Sequence, residues 1–135
     1  MAHNKFPTRI LTPEGEVFNG EVEMVSTRTT VGLIGIMAKH APLLATLEAT
    51  ELRLHKGDGE IERYAQSEGY LQVGGNQALL LVEEVHPVDK LNAEDLRERL
   101  RKAEEDIAAA GENTEMKRAA LQDKKRWETF LKIAG

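Results

Sequence analysis

Val85-His86-Pro87-Val88-Asp89-Lys90-Leu91-Asn92-Ala93 is the stretch at which the chain changes its composition. All eight valines and all four prolines lie at or before Val88, as do nine of the eleven glycines. From residue 89 onward the chain draws mainly on Ala, Leu, Glu, Lys and Arg. The first set suits the pleated, half-buried surface of strands, and the second suits helices. The expectation is a β domain over residues 1–87 and an α-helical domain over residues 88–135.

Upstream of the switch, short apolar runs are separated by turn signals at Pro13-Glu14-Gly15, Lys56-Gly57-Asp58-Gly59 and Gly74-Gly75-Asn76. That spacing belongs to antiparallel hairpins. Val22 and Met24 alternate with Glu21 and Glu23, and Leu52 and Leu54 with Glu51 and Arg53. The unbroken apolar run from Ala78 to Val82 predicts a strand covered on both faces. About eight to ten short strands fit, so the expected body is an antiparallel β-sandwich or flattened barrel. Val85-His86-Pro87-Val88 reads as the hinge that follows it.

Downstream, Leu96, Leu100, Ala103, Ile107 and Ala110 recur at helical spacing and form one apolar stripe. Gly111-Glu112-Asn113 breaks it, and Met116, Ala120, Trp127, Leu131 and Ala134 repeat it. Two helices of about five turns each are expected to zip into an antiparallel hairpin. Asp89 or Asn92 would cap the first helix, and Asn113 or Thr114 the second. Residues 91–113 carry four basic and seven acidic groups, whereas residues 114–135 carry six basic and three acidic, so the helices attract each other. Lys117, Arg118, Lys124, Lys125 and Lys132 fall within an arc of about 120 degrees, a basic ridge suited to an acidic partner.

Several classes of function are disfavoured. The 135 residues carry a formal charge of −5, which argues against nucleic acid. The absence of cysteine removes disulfides, thiolate metal sites and cysteine nucleophiles, and favours the cytosolic side. His3, His40, His55 and His86 are scattered without a metal-ligand spacing. Gly32-Leu33-Ile34-Gly35 and Gly74-Gly75 lack the lysine and helix of a phosphate loop. Glu83-Glu84 and Glu104-Glu105-Asp106 read as solvated surface, and neither Ser26 nor Ser67 sits in a nucleophile elbow. No catalytic residue and no metal ligand is expected. The polar start, Met1 to Arg9, does not read as a signal peptide, and the longest uncharged stretch, Gly69 to Val82, is too short to span a bilayer. Membrane contact is expected only through partners.

Three segments together resemble one family. Gly32-Leu33-Ile34-Gly35-Ile36-Met37-Ala38-Lys39-His40-Ala41-Pro42-Leu43-Leu44 resembles the signature G-x-x-G-[IV]-x-x-x-H-A-P-L-L of the epsilon subunit of rotary F-type ATP synthases. Ser67-Glu68-Gly69-Tyr70-Leu71-Gln72-Val73 resembles its second sandwich motif, usually written with Gly-Gly-Phe, from which Glu68 and Tyr70 depart. The terminal hairpin extends the resemblance over the whole chain. Gly32 and Gly35 would permit a tight backbone path, and Pro42 would fix the chain before Leu43-Leu44.

The resemblance implies a non-catalytic central-stalk subunit of a proton-translocating ATP synthase, peripheral on the cytoplasmic face of the cell membrane. Its implied partners are the gamma subunit, the c-ring and the alpha and beta subunits. The loop carrying the His-Ala-Pro motif would face the ring, with Leu33, Lys39 and His40 as contacts, although the family often has an acidic residue where Leu33 stands. The hairpin would lie folded or extend up the shaft, and extended it would oppose ATP hydrolysis. Many members bind ATP through a motif [IL]-D-x-x-R-A. Val88-Asp89-Lys90-Leu91-Asn92-Ala93 resembles it, with Asn92 in place of the arginine, so Asp89, Asn92, Ala93 and Lys125 are the candidate ATP contacts and helix caps are the alternative. A free-standing interaction module and a nucleotide sensor are the competing classes.

Overall fold

The computed structural model describes residues 3–135, and the chain divides between Pro87 and Val88 into two compact units. The first holds ten strands: β1 (Phe6–Thr12), β2 (Gly15–Val22), β3 (Met24–Thr29), β4 (Gly32–Met37) and β5 (Leu43–Leu47), then β6 (Thr50–Gly57), β7 (Glu60–Gln66), β8 (Gly69–Gly74), β9 (Gln77–Val82) and β10 (Val85–Pro87). The strand order is β10-β7-β6-β3-β5-β8-β9-β1-β2, with β4 paired to β3. One edge of β3 is covered along its length by β4. The other passes from β6, at Met24–Ser26, to β5, at Thr29, and so turns the sheet's corner. Every pairing is antiparallel except β1 with β9, where Thr8–Leu11 runs parallel to Ala78–Leu81.

The inward faces close on one apolar core that includes Phe6, Ile10, Val25, Ile36, Leu52, Leu71 and Leu80, each essentially without solvent contact. Each such large side chain contributes about 1.5–3 kcal/mol by leaving water. Of the buried polar side chains, Thr27, Thr29, Gln66 and Ser67 are hydrogen-bonded, whereas the Thr8 hydroxyl meets no partner among the described residues. Thr27 Oγ1 donates to Gln66 Oε1 at 2.6 Å, and Gln66 Nε2 donates to the Glu48 carbonyl at 2.8 Å, so one amide ties β7 to β3 and to the end of β5.

Hairpin chemistry follows two patterns. Asp58-Gly59 and Gly75-Asn76 are two-residue loops with both φ angles positive, matching the twist of the flanking strands. Thr12-Pro13-Glu14-Gly15 and Thr29-Thr30-Val31-Gly32 share a different device. In each, the threonine hydroxyl donates to the glycine carbonyl and accepts from the N–H two residues on. The closing glycines sit at φ 127° and 129°, where a side chain is strained.

Three expectations are corrected here. Alternation does not continue through Met24: Val22 and Val25 are both buried and Met24 turns outward. The change of frame falls at Glu23, between β2 and β3, whose N–H bonds to the His55 carbonyl at 2.6 Å. The run Ala78–Val82 is not covered on both faces, since Leu81 is exposed opposite a wall of Ala78, Leu80 and Val82. Val85-His86-Pro87 is not a free hinge: these residues pair with Gln66, Ala65 and Tyr64 of β7, and the change of element falls at Val88.

The second unit opens with a 3-10 turn at Val88–Lys90, followed by α1 (Ala93–Ala110) and α2 (Thr114–Ala134). Asn92 and Asn113 are the caps, their side-chain oxygens accepting from Asp95 N and Met116 N, both at 3.1 Å. Each satisfies one of the N–H groups a helix start leaves open. Leu96, Ala103 and Ala110 of α1 are buried, as are Ala120, Trp127 and Phe130 of α2. The second stripe therefore includes Phe130, which packs edge-on against Trp127 with centroids 5.7 Å apart, and excludes Met116, which is exposed.

Candidate interaction surfaces

The first surface is the segment from Gly32 to Leu44. In β4 the outward positions are Leu33, Gly35 and Met37, with Ile36 anchored in the core. Gly35 has no unusual φ. A Cβ there would lie 3.4 Å from Met24 Sδ, an ordinary contact with the end of a flexible side chain, so neither backbone nor space demands glycine at this exposed position. The turn after β4 places Lys39 at φ 65°, a left-handed conformation that costs a non-glycine residue about 1–2 kcal/mol. Its N–H is held by Asn76 Oδ1 at 2.8 Å, so the β8–β9 turn secures the β4–β5 turn. The His40 N–H bonds to the Met37 carbonyl at 3.2 Å, and its Nδ1 donates to the Ala41 carbonyl at 2.6 Å, which orients the ring.

Leu33, Lys39 and His40 do not share a loop. Leu33 belongs to β4 itself and stands beside the Thr30-Val31 turn, separated from Lys39 by the strand's length, about 20 Å at ~3.3 Å per residue. Leu33 lies on an edge strand, since among the described residues β4 pairs with β3 alone, and Lys39 and His40 lie in the turn that follows it. That edge is apolar: Val31 is 95% exposed and Leu33 73%.

A second surface missed by sequence reasoning lies on the outer face of β5, β8, β9 and β1. Thr46, Tyr70, Leu81 and Leu11 stand opposite one another in successive strands. Tyr70 is 57% exposed, and Leu44 nearby in β5 is 74% exposed. Leu11, Pro13, Tyr70 and Leu81 line a groove of about 390 Å³, with Glu68 and Glu83 also lining it. Gly69 makes this face possible. A Cβ at Gly69 would fall 2.0 Å from the Leu81 carbonyl oxygen, so β8 and β9 approach there as only glycine allows. The signal available in sequence was the glycine of the second motif.

The candidate nucleotide positions are placed as helix-start elements. Asp89 is in the 3-10 turn, Asn92 is the cap of α1 and Ala93 its first residue. Lys125 is exposed on α2, which runs alongside that turn. Of the basic ridge, Lys117, Arg118, Lys125 and Lys132 are exposed and Lys124 is half-buried.

Two charged networks brace the sandwich. Arg63 donates to Glu51 Oε1 at 2.6 Å, and with Arg53 it holds the carboxyl below the usual glutamate range against an opposing push from burial. Lys56 at 2.8 Å and the Tyr64 hydroxyl at 2.6 Å do the same for Glu62. Burial, and then that bond to Glu62, push the Tyr64 hydroxyl well above its ordinary value. Among the described residues no group of three His, Asp or Glu is placed to hold a metal ion, and no helix is long and apolar enough to cross a membrane.

A family model described as the beta-sandwich domain of the ATP synthase delta/epsilon chain matches residues 5–88. The ATP synthase epsilon chain of Sulfurihydrogenibium sp. (strain YO3AOP1) is 32% identical over 126 residues, 93% of this chain and 94% of that one. The epsilon chain of Halalkalibacterium halodurans is 35% identical over 127 residues, again 93% and 94%. Among solved structures, a chain of the Euglena gracilis mitochondrial ATP synthase (OSCP/F1/c-ring) superposes with a TM-score of 0.77 at 17% identity, covering 96% of this chain and 81% of that one. A chain of the Tetrahymena thermophila mitochondrial ATP synthase central stalk and c-ring gives 0.65 at 16% identity, with both chains covered completely. The last two show a shared fold.

Proposed function

The chain belongs to the ATP synthase delta/epsilon chain family, and from that premise we propose that it is a rotor subunit of the central stalk of a proton-translocating F-type ATP synthase. In this reading it carries no catalytic residue of its own. It couples the c-ring to the catalytic head through the gamma subunit and restrains ATP hydrolysis through its helical hairpin. It sits at the cytoplasmic face of the cell membrane, held there by the complex.

The observation that carries the reading is that a β unit packed around one core leaves two apolar surfaces in water, the β4 edge with Val31 and Leu33, and the face with Leu44 and Tyr70. Contiguous exposed apolar groups mark surfaces that are covered in an assembly. We assign the β4 edge, with Lys39 and His40 at its far end, to the c-ring, and the Tyr70 face to the gamma subunit. With Leu33 at the position often acidic in the family, the ring contact there rests on apolar burial rather than on an ion pair.

For the hairpin, moving a two-position equilibrium from 1:99 to 99:1 takes about 5.5 kcal/mol of differential binding. Five exposed ion pairs from the ridge, at about 0.2–1 kcal/mol each, fall short. Trp127 and Phe130 are already buried in the present conformation, so an extended hairpin must bury them again on the alpha and beta subunits. The turn at Asp89 we read as a helix start, with Asn92 engaged as a cap, rather than as an ATP site. Calorimetric heat at millimolar ATP, lost in Asp89→Ala, overturns that part.

The test assembles the complex with the full chain and with a version ending at Pro87, and compares ATP hydrolysis and ATP-driven proton pumping. Faster hydrolysis with pumping retained is expected from the shortened chain. Equal hydrolysis rates remove the inhibitory role, and pumping unaffected by leaving the subunit out removes the coupling role.

A further inference from the structure

One row of the sheet crosses β4, β3, β6 and β7 as Met37, Met24, His55 and Ile61. Residues directly opposite on neighbouring strands share a face, and the strands stand about 4.8 Å apart. Two thioethers and an imidazole therefore rise from one side of the sheet within two strand spacings. All four residues, with His3, line one cavity of about 240 Å³. Met24 Sδ lies on the β4 side of this row, 3.4 Å from where a Cβ on Gly35 would stand. The His55 ring makes no hydrogen bond or ion pair with any described residue.

This donor set selects its ligand by softness. Calcium and magnesium take oxygen ligands, and Glu23, Asp58 and Glu60, which also line the cavity, do not combine with each other or with the histidines into a three-ligand group among the described residues. Thioether sulfur with imidazole suits a soft, filled-shell monovalent ion. We propose that Met24, Met37 and His55 form a binding site for such an ion, copper(I) being its biological representative, with His3 as a further donor. Met24 supplies the central ligand. Met37, through its flexible thioether, and His55, through its ring, reach in from either side. The chain has no cysteine, so no thiolate elsewhere competes for the ion.

The full-length protein is titrated anaerobically with copper(I) against a chromophoric copper(I) chelator. In parallel, silver(I) is added while the methionine methyl resonances are followed by NMR. A single equivalent is expected to bind, with the Met24 and Met37 methyls shifting and Met116 unchanged. Met24→Leu/Met37→Leu, and separately His55→Gln, should weaken binding at least about tenfold, the loss commonly seen when even an outer partner of a metal ligand is removed. Unshifted Met24 and Met37 methyls in the wild-type protein overturn the proposal whatever the variants do. So does binding that survives in the Met24→Leu/Met37→Leu variant but disappears in His3→Gln, which places the ion on the N-terminal segment alone.

Discussion

Arg99 of α1 stands over the indole of Trp127 of α2, its guanidinium carbon 5.0 Å from the ring centroid, while Asp95 one turn earlier holds its Nε at 3.0 Å. A second guanidinium, that of Arg126, lies 5.3 Å from the same ring. The chain's one tryptophan is thus pinned where the two helices meet, and its fluorescence reports on that contact. Arg99→Met keeps an apolar stem and removes the charge. It should destabilise the hairpin by about 0.5–1 kcal/mol, read as an earlier tryptophan transition in urea with the β signal in circular dichroism unchanged.

Gly69→Ala should be far more damaging than its size suggests. The added methyl meets the Leu81 carbonyl oxygen at 2.0 Å and Val82 Cα at 2.8 Å, both backbone atoms that cannot rotate away. A loss of about 1–3 kcal/mol is expected, as for other overpacked sites. Hydrogen exchange should localise it to the pairing of β8 with β9, and the groove beside Tyr70 should lose its shape.

Acid should act through Glu51 and Glu62. Both carboxyls are held below their ordinary value in the folded chain, so their contribution is present above the unfolded value and is lost as pH falls through the folded one. Denaturant midpoints should begin to decline near pH 4.3, the unperturbed glutamate value. Glu51→Gln and Glu62→Gln should each flatten that limb. Tyr64, whose hydroxyl is pushed up, has the opposite sense: stability is full below about pH 10 and declines as pH rises past it, and Tyr64→Phe should remove that decline.

The basic ridge predicts a salt effect. In the assembled complex, changing Lys117, Arg118, Lys124, Lys125 and Lys132 to Gln should raise ATP hydrolysis towards, without reaching, the rate of the complex whose subunit ends at Pro87. The restraint proposed for the wild-type chain should also weaken between low and physiological ionic strength, because exposed pairs are screened over about 8–10 Å. Hydrolysis rates measured across a salt series check both points.

What could be read in advance was local. Asn92 and Asn113 announce helix starts by type and position, Asp58-Gly59 announces a tight hairpin, and the change in composition at Val88 separates strands from helices. What could not be read was relational. The outward turn of Met24 depends on a change of frame at Glu23 that no residue type marks. The exposure of Leu81 depends on which face of β9 the core occupies, and an unbroken apolar run conceals that. Phe130 replaces Met116 in the buried stripe because burial follows where the partner helix lies, not hydropathy alone. The His40 segment was found through a motif, whereas its anchor, Asn76, is 37 residues away and becomes visible only when the two turns meet.

That anchor has a mechanical consequence. A sideways push on His40 or Lys39 cannot bend their turn alone, because the hydrogen bond to Asn76 passes the load into the β8–β9 hairpin and so into the wall that carries Tyr70. In the rotor role proposed for this chain, stiffness between the driven end and the driving end would be the working property. Here a single amide oxygen, on a residue that need touch neither partner, helps to set it.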